Sequence, residues 1–556
     1  MRFRKQLLCS WCFLAALSLG QEQTKSDVPS APFRIAGVVV DSVTNQPLSR
    51  TRMSIAPVAQ LDAARFVTAD ESGRFVFDHV AQGKYMLAAQ HRGYVGGPYD
   101  EHDGYSTGIA VGPDLDPGEL VFRLQPDCSI TGKVTEEHGE PVREAELALF
   151  QDRPNEIPRF ELRYRDATDD EGNFRFGHLR PGKYILQVVA EPWYRGYVAN
   201  YRGYINYTPP RSTPPMSQPS PLDVLYPITY YPASSDPAGA VPIMLSPGDR
   251  FVADVSLQPV PARDLTLPLP LPRRDPDQQF VVEVRRQILG DDPAPLPGVT
   301  QVSQDSVEIK GLGPGQYEVR VRRVDANGEN AVNAAPIDLQ VTASGQIRTS
   351  QKTDGAAVVG KVRRDDGTPV SIGSLMLRNR KTGETIATEF SAKGEFAFQD
   401  PVSPGTYDLN ASSAEDFLFQ SLAATGAKAT GSVLEIGDVA SVTLTVTMTG
   451  GNGRVDGVAL KDGKPFGGAM ILLVPQDAAH NPSLFRRDQS DSDGTFTLNQ
   501  ALPGKYTALA LENAWDLPLS DPKVLKPYLA GGTAVQVQNQ RTLNIKVKVQ
   551  TVAAAQ

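Results

Sequence analysis

The chain has 556 residues, with 55 basic and 64 acidic side chains and a formal net charge of −9. An acidic balance spread along the chain argues against nucleic-acid binding, because phosphate groups require a basic patch. Only 3 cysteines are present, which excludes a disulfide-stapled scaffold, and about 530 residues after an N-terminal leader would suffice for three to five ordinary domains.

Residues 1–20 have the layout of a secretory signal peptide. Basic side chains precede an apolar run over residues 7–19, and Gly20 provides a small residue before the expected cleavage point. A retained membrane anchor is the alternative, although the run is shorter than the ~20 apolar residues that a spanning helix needs. We therefore expect a secreted, periplasmic or cell-envelope protein without a membrane span after cleavage.

The cysteines are distributed unevenly along the chain. Cys9 and Cys12 lie inside the predicted signal peptide, and Cys128 is the remaining one. Cleavage would leave Cys128 as a free thiol, so the mature protein is predicted to fold without an intramolecular disulfide and to depend on ordinary hydrophobic cores.

A turn-and-strand pattern repeats along the chain. Its clearest form, D-x-x-G-x-F-x-F followed by a Gly-containing turn and a Tyr, covers residues 70–85 and 169–184. Copies at 394–407 and 491–506 keep most positions, the latter with one extra residue before its Leu, and a weaker copy covers 307–317. Asp and Gly three apart favour a tight turn, and aromatic residues two apart point to one face of a strand.

A second repeated piece lies upstream of the first. It is an apolar strand with a central glycine, followed by a proline, and it occurs around Gly37, Gly132, Gly360 and Gly457. In the third copy Leu265-Thr-Leu-Pro stands where this strand is expected. Each repeat therefore combines an opening strand with a strand-turn-strand unit, and the intervals of 90 to 133 residues between turn glycines suit β-sandwich domains.

These repeats divide the chain into five predicted modules. The second carries a Tyr/Pro-rich insertion and the third is divergent; the modules comprise residues 33–126, 127–260, 262–350, 353–450 and 452–550. Helical signals are scarce, and a short turn over 520–528 with Ser520 as its cap is the one helical segment expected.

With its opening strand, its D-x-x-G-x-F-x-F turn and its L-x-P-G-x-Y hairpin, the module resembles the carboxypeptidase regulatory-like domain. The resemblance implies an all-β chain of about five tandem transthyretin-like (prealbumin-like), Ig-like antiparallel sandwiches, also similar to starch-binding sandwiches. It further implies an extracellular or periplasmic protein of a bacterium. In carboxypeptidases this domain accompanies the catalytic domain, so the resemblance does not imply an enzyme.

The sequence supplies no convergent catalytic set. Its 6 histidines form neither an H-x-x-E nor an H-E-x-x-H pattern. His79 and His178 occupy equivalent positions in the repeat and are interpreted as hairpin residues. Residues 100–104, Asp-Glu-His-Asp-Gly, predict an acidic surface loop, with a metal site as the alternative. We therefore predict no catalytic, cofactor or metal residue.

Calcium binding is an alternative interpretation of two turns. Asp169–Gly172 and Asp491–Gly494 supply carboxylates, but neither continues to the distant bidentate Glu of an EF-hand loop. An aspartate that caps its own turn explains the same residues without a cation.

The candidate ligand or partner surface lies in the insertion of the second module. It comprises rings that recur every three or four residues: Trp193, Tyr194, Tyr197, Tyr201 and Tyr204. Flat rings among Arg and Asn suit a sugar or a protein loop, whereas the structural alternative is that they pack back over the sandwich. Two functions follow: a structural or protein-interaction array with extracellular or periplasmic protein partners, or a protein that binds polysaccharide.

Overall fold

The computed structural model describes most of the chain from Phe33 to Val552. Outside the described residues lie 1–32, 116, 154–159, 195–221, 272–278, 287, 288, 290–293, 296–299, 304, 325–331, 335, 343, 352–354, 415, 416, 520 and 553–556. The predicted signal peptide, with Cys9 and Cys12, belongs to them. Strands dominate the rest, and the predicted all-β architecture of tandem sandwiches is confirmed.

The first module pairs its strands in two sheets. One has the order Arg74–Val80, Phe33–Asp41, Leu120–Pro126, Tyr94–Val95. The other has the order Arg65–Thr68, Arg52–Pro57, Gly83–Gln90, Gly97–Pro98, with Ile109–Val111 also paired to Gly83–Gln90.

The second module repeats this arrangement. Its first sheet contains Asn173–Leu179, Cys128–Thr135, Arg250–Val252 and Val255–Ser256. Its second contains Phe160–Ala167, Glu146–Asp152, Gly182–Val189, Thr229–Tyr230 and Ile243–Leu245. Val224–Leu225 pairs separately with Val260–Pro261, and Pro237–Gly239 forms a 3-10 turn.

The third module departs from the others, as its sequence indicates. A small sheet contains Arg263–Pro268, Ser306–Leu312 and Thr300–Val302, and a larger one contains Ala294–Pro295, Gln279–Arg286, Gly315–Val324, Val332–Asn333, Ile337–Val341 and Ile347–Gln351. Among the described residues, its opening strand has no parallel partner on its second edge.

The last two modules complete the array. The fourth has Glu395–Ala397, Ala357–Arg364, Ser441–Thr449 and Leu418–Thr425 in one sheet, and Thr385–Phe390, Gly373–Asn379, Gly405–Ser413, Val433–Ile436 and Lys428–Thr430 in the other. The fifth joins Lys464–Pro465, Gly453–Lys461, Thr542–Thr551, Gly504–Glu512, Met470–Pro475, Arg486–Gln489, Thr495–Ala501 and Thr533–Val537.

The opening-strand glycines allow close approach between strands. In modules one, two, four and five the opening strand runs parallel to the last strand of its module. A Cβ atom on Gly37, Gly360 or Gly457 would overlap a carbonyl oxygen of that parallel strand, and one on Gly132 would overlap the carbonyl oxygen of Ala253, between the two short parallel strands of its module. Because only glycine lacks this atom, the repeated glycine is a packing requirement.

The aromatic residues of the repeat form the cores. Phe75 and Phe77 of the first module are 2% and 1% exposed, and the residues between and after them face outward. Each module has its own hydrophobic cluster, as expected for inward-facing strand residues. Burying each such Phe contributes roughly 1.5–3 kcal/mol.

The repeated tyrosine has one role in all five copies. Its hydroxyl donates to the carbonyl oxygen four residues upstream, at 2.8–3.0 Å, in Tyr85, Tyr184, Tyr317, Tyr407 and Tyr506. The bond closes the Gly-containing turn over the strand that follows. The divergent third module therefore keeps this hairpin although its opening strand differs.

Two local predictions were wrong. Ala501 pairs with Gly453 as Leu179 pairs with Cys128, so the fifth copy has no extra residue and Leu502 replaces Arg180 of the second copy. The helical segment begins with a 3-10 turn, Pro522–Leu525, capped by Asp521, and continues as Lys526–Leu529. Ser520 lies outside the described residues, and the Asp521 carboxylate satisfies the Lys523 amide instead.

The interpretation of His79 and His178 as hairpin residues is correct. Both have a left-handed backbone, with φ of 56° and 55°, at the bulge where the repeat strand changes register. Gln500 and Gly311 take the same conformation at the equivalent positions. No helix in the described part of the chain is long and apolar enough to cross a membrane.

Candidate functional site

The predicted aromatic surface is described in part. Trp193 is 88% exposed, and its ring meets that of Tyr194 edge-on at 5.7 Å. The Tyr194 hydroxyl donates to Glu137, which also accepts from Tyr226 at 3.2 Å. Burial, together with the Glu137 carboxylate, raises the pKa of Tyr194 to about 12. Tyr194 is thus anchored to the sandwich, while Trp193 presents its ring to solvent; Tyr197, Tyr201 and Tyr204 lie outside the described residues.

The far end of the insertion is packed against the second sandwich. Tyr226 and Tyr230 are 5% and 1% exposed. Tyr226 belongs to the main core of the module, and Tyr230 to a second cluster that includes Leu289 of the third module. These two rings therefore contribute to hydrophobic packing.

One group in the described part of the chain has the donor types of a metal site. The side chains of Glu136, Glu137 and His138 bring ligand atoms within 4.8 Å of one another. The sequence analysis did not single them out. Their oxygens already accept hydrogen bonds: Glu136 from the amides of His138 and Glu140, and Glu137 from tyrosine hydroxyls. Hydrogen bonds within the chain account for this arrangement.

The two turns considered for calcium differ from each other. Asp169 caps its own turn, accepting from the amides of Glu171 and Asn173 at 2.9 and 2.8 Å, and those bonds lower its pKa. Asp491 stands at the same position of the fifth copy, yet its carboxylate points away from its own turn. The sequence motif is the same, but the partner is different.

Asp491 binds the first module. Its Oδ1 accepts from the amide of Gly108 at 3.0 Å, and its Oδ2 pairs with Lys84, whose Nζ also donates to Thr495. The neighbouring Ser492 exchanges hydrogen bonds with Gly108 and Ala110. Burial raises the pKa of Asp491, and Lys84 opposes that shift. Residues about 400 positions apart thus form a partly buried polar contact between modules one and five.

The acidic loop, residues 100–104, borders the same contact. Asp100, Asp103 and Gly104 are exposed, as predicted for a surface loop, and other modules supply partners for its side chains. Gln489 of the fifth module is 2% exposed and donates through Nε2 to Asp100 and Thr107. Glu101 pairs with Arg180 of the second module at 2.7 Å. The loop therefore joins three modules.

Aromatic stacking completes this contact. The His102 ring stacks on Trp515 at 4.7 Å with an interplanar angle of 10°. The guanidinium of Arg487 lies 4.5 Å from the Trp515 ring and 5.0 Å from that of Tyr105. Such contacts are worth about 0.5–2 kcal/mol each, depending on exposure. Trp515 thus serves inter-module packing.

A cleft of about 980 Å³ opens where these modules meet. Four modules contribute to its lining, which we call the arginine cleft after its guanidinium groups: Arg153, Arg163, Arg180, Arg378 and Arg487. Three carboxylates, Glu101, Asp103 and Asp516, also line it. Cations outnumber anions here, although the chain as a whole is acidic.

Two arginines of the cleft are well placed to bind a ligand. Arg163 bonds Gln151 at 2.9 Å and Glu161 at 3.1 Å, with its side chain 39% exposed. Arg180 bonds Glu101 with its side chain 53% exposed. A guanidinium carries five N–H donors, so each keeps donors for a further acceptor. Sequence reasoning missed this cleft because its residues come from four separate repeats.

Comparisons with known proteins identify one region of the chain. Residues 129–214 match the model of the carboxypeptidase regulatory-like domain. Catechol 1,2-dioxygenase of Candida albicans is 38% identical over 106 residues, which cover 16% of this chain and 35% of that enzyme. The chain thus spans about a third of the length of this curated relative.

Solved structures give weaker likenesses. The Bacillus anthracis TIE protein is 10% identical, with 90% of this chain and 68% of that chain covered and a TM-score of 0.15. A streptococcal ancillary pilin is 14% identical, with 51% and 99% covered and a TM-score of 0.18. The minor pilin of Streptococcus agalactiae is 13% identical, with 36% and 98% covered and a TM-score of 0.18. The resemblance to the carboxypeptidase regulatory-like domain is confirmed, and it is located at residues 129–214.

Proposed function

We propose that the chain is a secreted, non-catalytic protein-interaction array of β-sandwich modules, acting at the cell envelope or outside the cell on extracellular or periplasmic partners. The observation that carries this proposal is the contact between modules one and five through Asp491, Lys84 and Gly108. Polar groups buried in such a contact fix the relative position of two modules more firmly than a linker does.

Other contacts support the same arrangement. Arg180 joins the second module to the acidic loop of the first, and Ser432 of the fourth donates to the carbonyl of His480 in the fifth at 2.8 Å. The modules then present a composite surface with a defined shape, which is what a specific protein partner requires. The match to a regulatory-like domain supports a non-catalytic role.

Affinity capture with the mature chain tests this function. The bait and its Lys84→Ala/Asp491→Ala variant are compared on extracellular and periplasmic fractions of the source cell. The matched control is Lys461→Ala/Glu512→Ala, which removes an ion pair of similar exposure inside the fifth module. Partners retained by the control and lost by the first variant support the proposal. Equal capture by all three proteins contradicts it.

A second candidate function, carbohydrate binding, is favoured by the exposed Trp193 ring. An aromatic face in solvent stacks on the apolar face of a sugar ring. We expect Trp193→Ala to abolish retention on a polysaccharide column without changing the melting temperature. Tyr194→Phe, which removes only the bond to Glu137, should retain binding and lower stability slightly. Loss of stability without loss of retention in Trp193→Ala assigns the ring to packing.

A further inference from the structure

We propose that the arginine cleft binds an oligosaccharide that carries carboxylate groups, held between modules one, two, four and five. The proposal rests on the composite arrangement above and names a ligand class for a site separate from Trp193. It is argued from the charge, the shape and the polarity of the cleft.

The charge of the cleft selects an anion. Five guanidinium groups and three carboxylates line it in a chain with net charge −9. The side chains of Arg163 and Arg180 are 39% and 53% exposed, and each guanidinium has more N–H donors than its bonds to Gln151, Glu161 or Glu101 use. A planar guanidinium matches a carboxylate with two parallel hydrogen bonds. The excess of positive charge is small, which suits single charges spaced along a ligand better than phosphate dianions.

The shape and lining select a saccharide. A concave volume of about 980 Å³ is at the upper end of the range for ligand pockets. Gln151 and the Tyr164 hydroxyl stand beside the arginines, and such groups exchange hydrogen bonds with sugar hydroxyls. The aliphatic lining side chains, Leu517, Pro518 and Leu519, come from a single segment of the fifth module. An amphipathic acidic peptide would need a larger apolar wall.

The site also depends on how the modules are joined. Glu101 and Arg180 come from modules one and two, and Arg487 and Trp515 come from module five. The acidic loop holds these groups together through the Glu101–Arg180 pair and the Trp515 stack. A change that separates modules one and five should therefore weaken ligand binding without touching a lining residue.

Isothermal titration calorimetry of the full mature chain tests the proposal. The probes are trigalacturonate, neutral galactotriose, triglutamate and a sulfated trisaccharide. We expect trigalacturonate to bind, and Arg163→Gln and Arg180→Gln to weaken it about tenfold or more each, because each removes a charge-assisted contact. Arg180→Lys keeps the positive charge but loses the planar guanidinium with its two parallel donors, so its loss of affinity should be intermediate. Arg454→Gln is the matched control, since Arg454 has 51% side-chain exposure and pairs with Asp456 outside the cleft.

Four results would overturn the proposal: no binding of trigalacturonate, equal binding of galactotriose, equal or tighter binding of triglutamate or the sulfated probe, or an equal loss in Arg454→Gln. The module contact is monitored separately, by carbodiimide cross-linking of Lys84 to Asp491. If Lys84 and Asp491 cross-link but trigalacturonate does not bind, only the proposed ligand is contradicted. A chain that does not cross-link contradicts the composite surface on which the proposed function rests.

Discussion

Replacing Asp491 by alanine should weaken the contact between modules one and five without unfolding either. The change removes the acceptor of the Gly108 amide and the partner of the Lys84 ammonium. The turn itself keeps its backbone bonds, from Asp491 N to Thr495 O and from Gly494 N to Asp491 O, both 2.8 Å. The loss therefore falls on the inter-module contact and not on a sandwich core.

The size of the effect follows from the exposure of the two side chains. Lys84 is 38% and Asp491 20% exposed, so the pair lies between surface pairs, worth about 0–1 kcal/mol, and buried pairs, whose disruption costs about 3–5 kcal/mol. We expect Asp491→Ala to weaken the contact by about 2 kcal/mol. A double-mutant cycle with Lys84→Ala should give a coupling free energy of about 1 kcal/mol.

Small-angle scattering and urea unfolding provide the assay. The radius of gyration should rise in Asp491→Ala, and the fifth module should keep its own unfolding transition. The control, Glu512→Ala, breaks the Lys461 pair at 2.7 Å within the fifth module. It should lower stability without changing the radius of gyration. Unchanged scattering in Asp491→Ala, or the same expansion in Glu512→Ala, would refute the reasoning.

Three further predictions concern pH, the hairpin and the thiol. Burial raises the pKa of Asp488 from 3.8 to about 6, so the folded state binds the proton of this carboxyl more tightly than the unfolded state does. The stabilisation of the folded state by this proton is fully present below pH 4 and is lost as the pH rises through about 6. Asp488→Asn should remove about 2–3 kcal/mol of this pH dependence between pH 4 and pH 7 in the free energy of unfolding; an unchanged slope contradicts the assignment. Tyr184→Phe removes the bond to Arg180 O at 2.8 Å and should cost about 1 kcal/mol of unfolding free energy, whereas Tyr164→Phe, on the same face, should cost less. Cys128 is fully buried and burial raises its pKa, so Ellman's reagent should modify one thiol per mature chain only in denaturant; rapid labelling of the native protein would disprove this.

Local structure could be predicted because its causes lie close together in sequence. The Asp169 turn, the Phe174 and Phe176 faces and the Tyr184 hydroxyl bond all involve residues within about one repeat unit. The same rules failed for the fifth copy. Matching residue types aligned Leu502 with Leu179 of the second copy, whereas Ala501 occupies the equivalent position in the sheet. Pairing register, and not residue type, decided that position.

The inter-module contacts could not be predicted in this way. Asp491 and Asp169 stand at the same position of the turn motif, but Lys84 and Gly108 of the first module bind the carboxylate of Asp491. The acidic loop was expected at the surface because Asp and Glu prefer water, and three of its five residues are exposed. Its contacts with Arg180 and Gln489 of other modules were not predicted. These partners are brought together by how whole modules pack, which the repeat pattern does not encode.

Zero-length cross-linking with a carbodiimide, read by mass spectrometry of the peptides, tests the central claim that modules one and five contact each other. The reagent joins an amine to a carboxylate that already touch, so the Lys84–Asp491 pair should form an amide linking residues 407 positions apart. Lys461 and Glu512, at 40% and 21% exposure, provide the internal reference within one module. The account predicts both cross-links at comparable yield in the monomeric protein. Formation of the Lys461–Glu512 link without the Lys84–Asp491 link would contradict it.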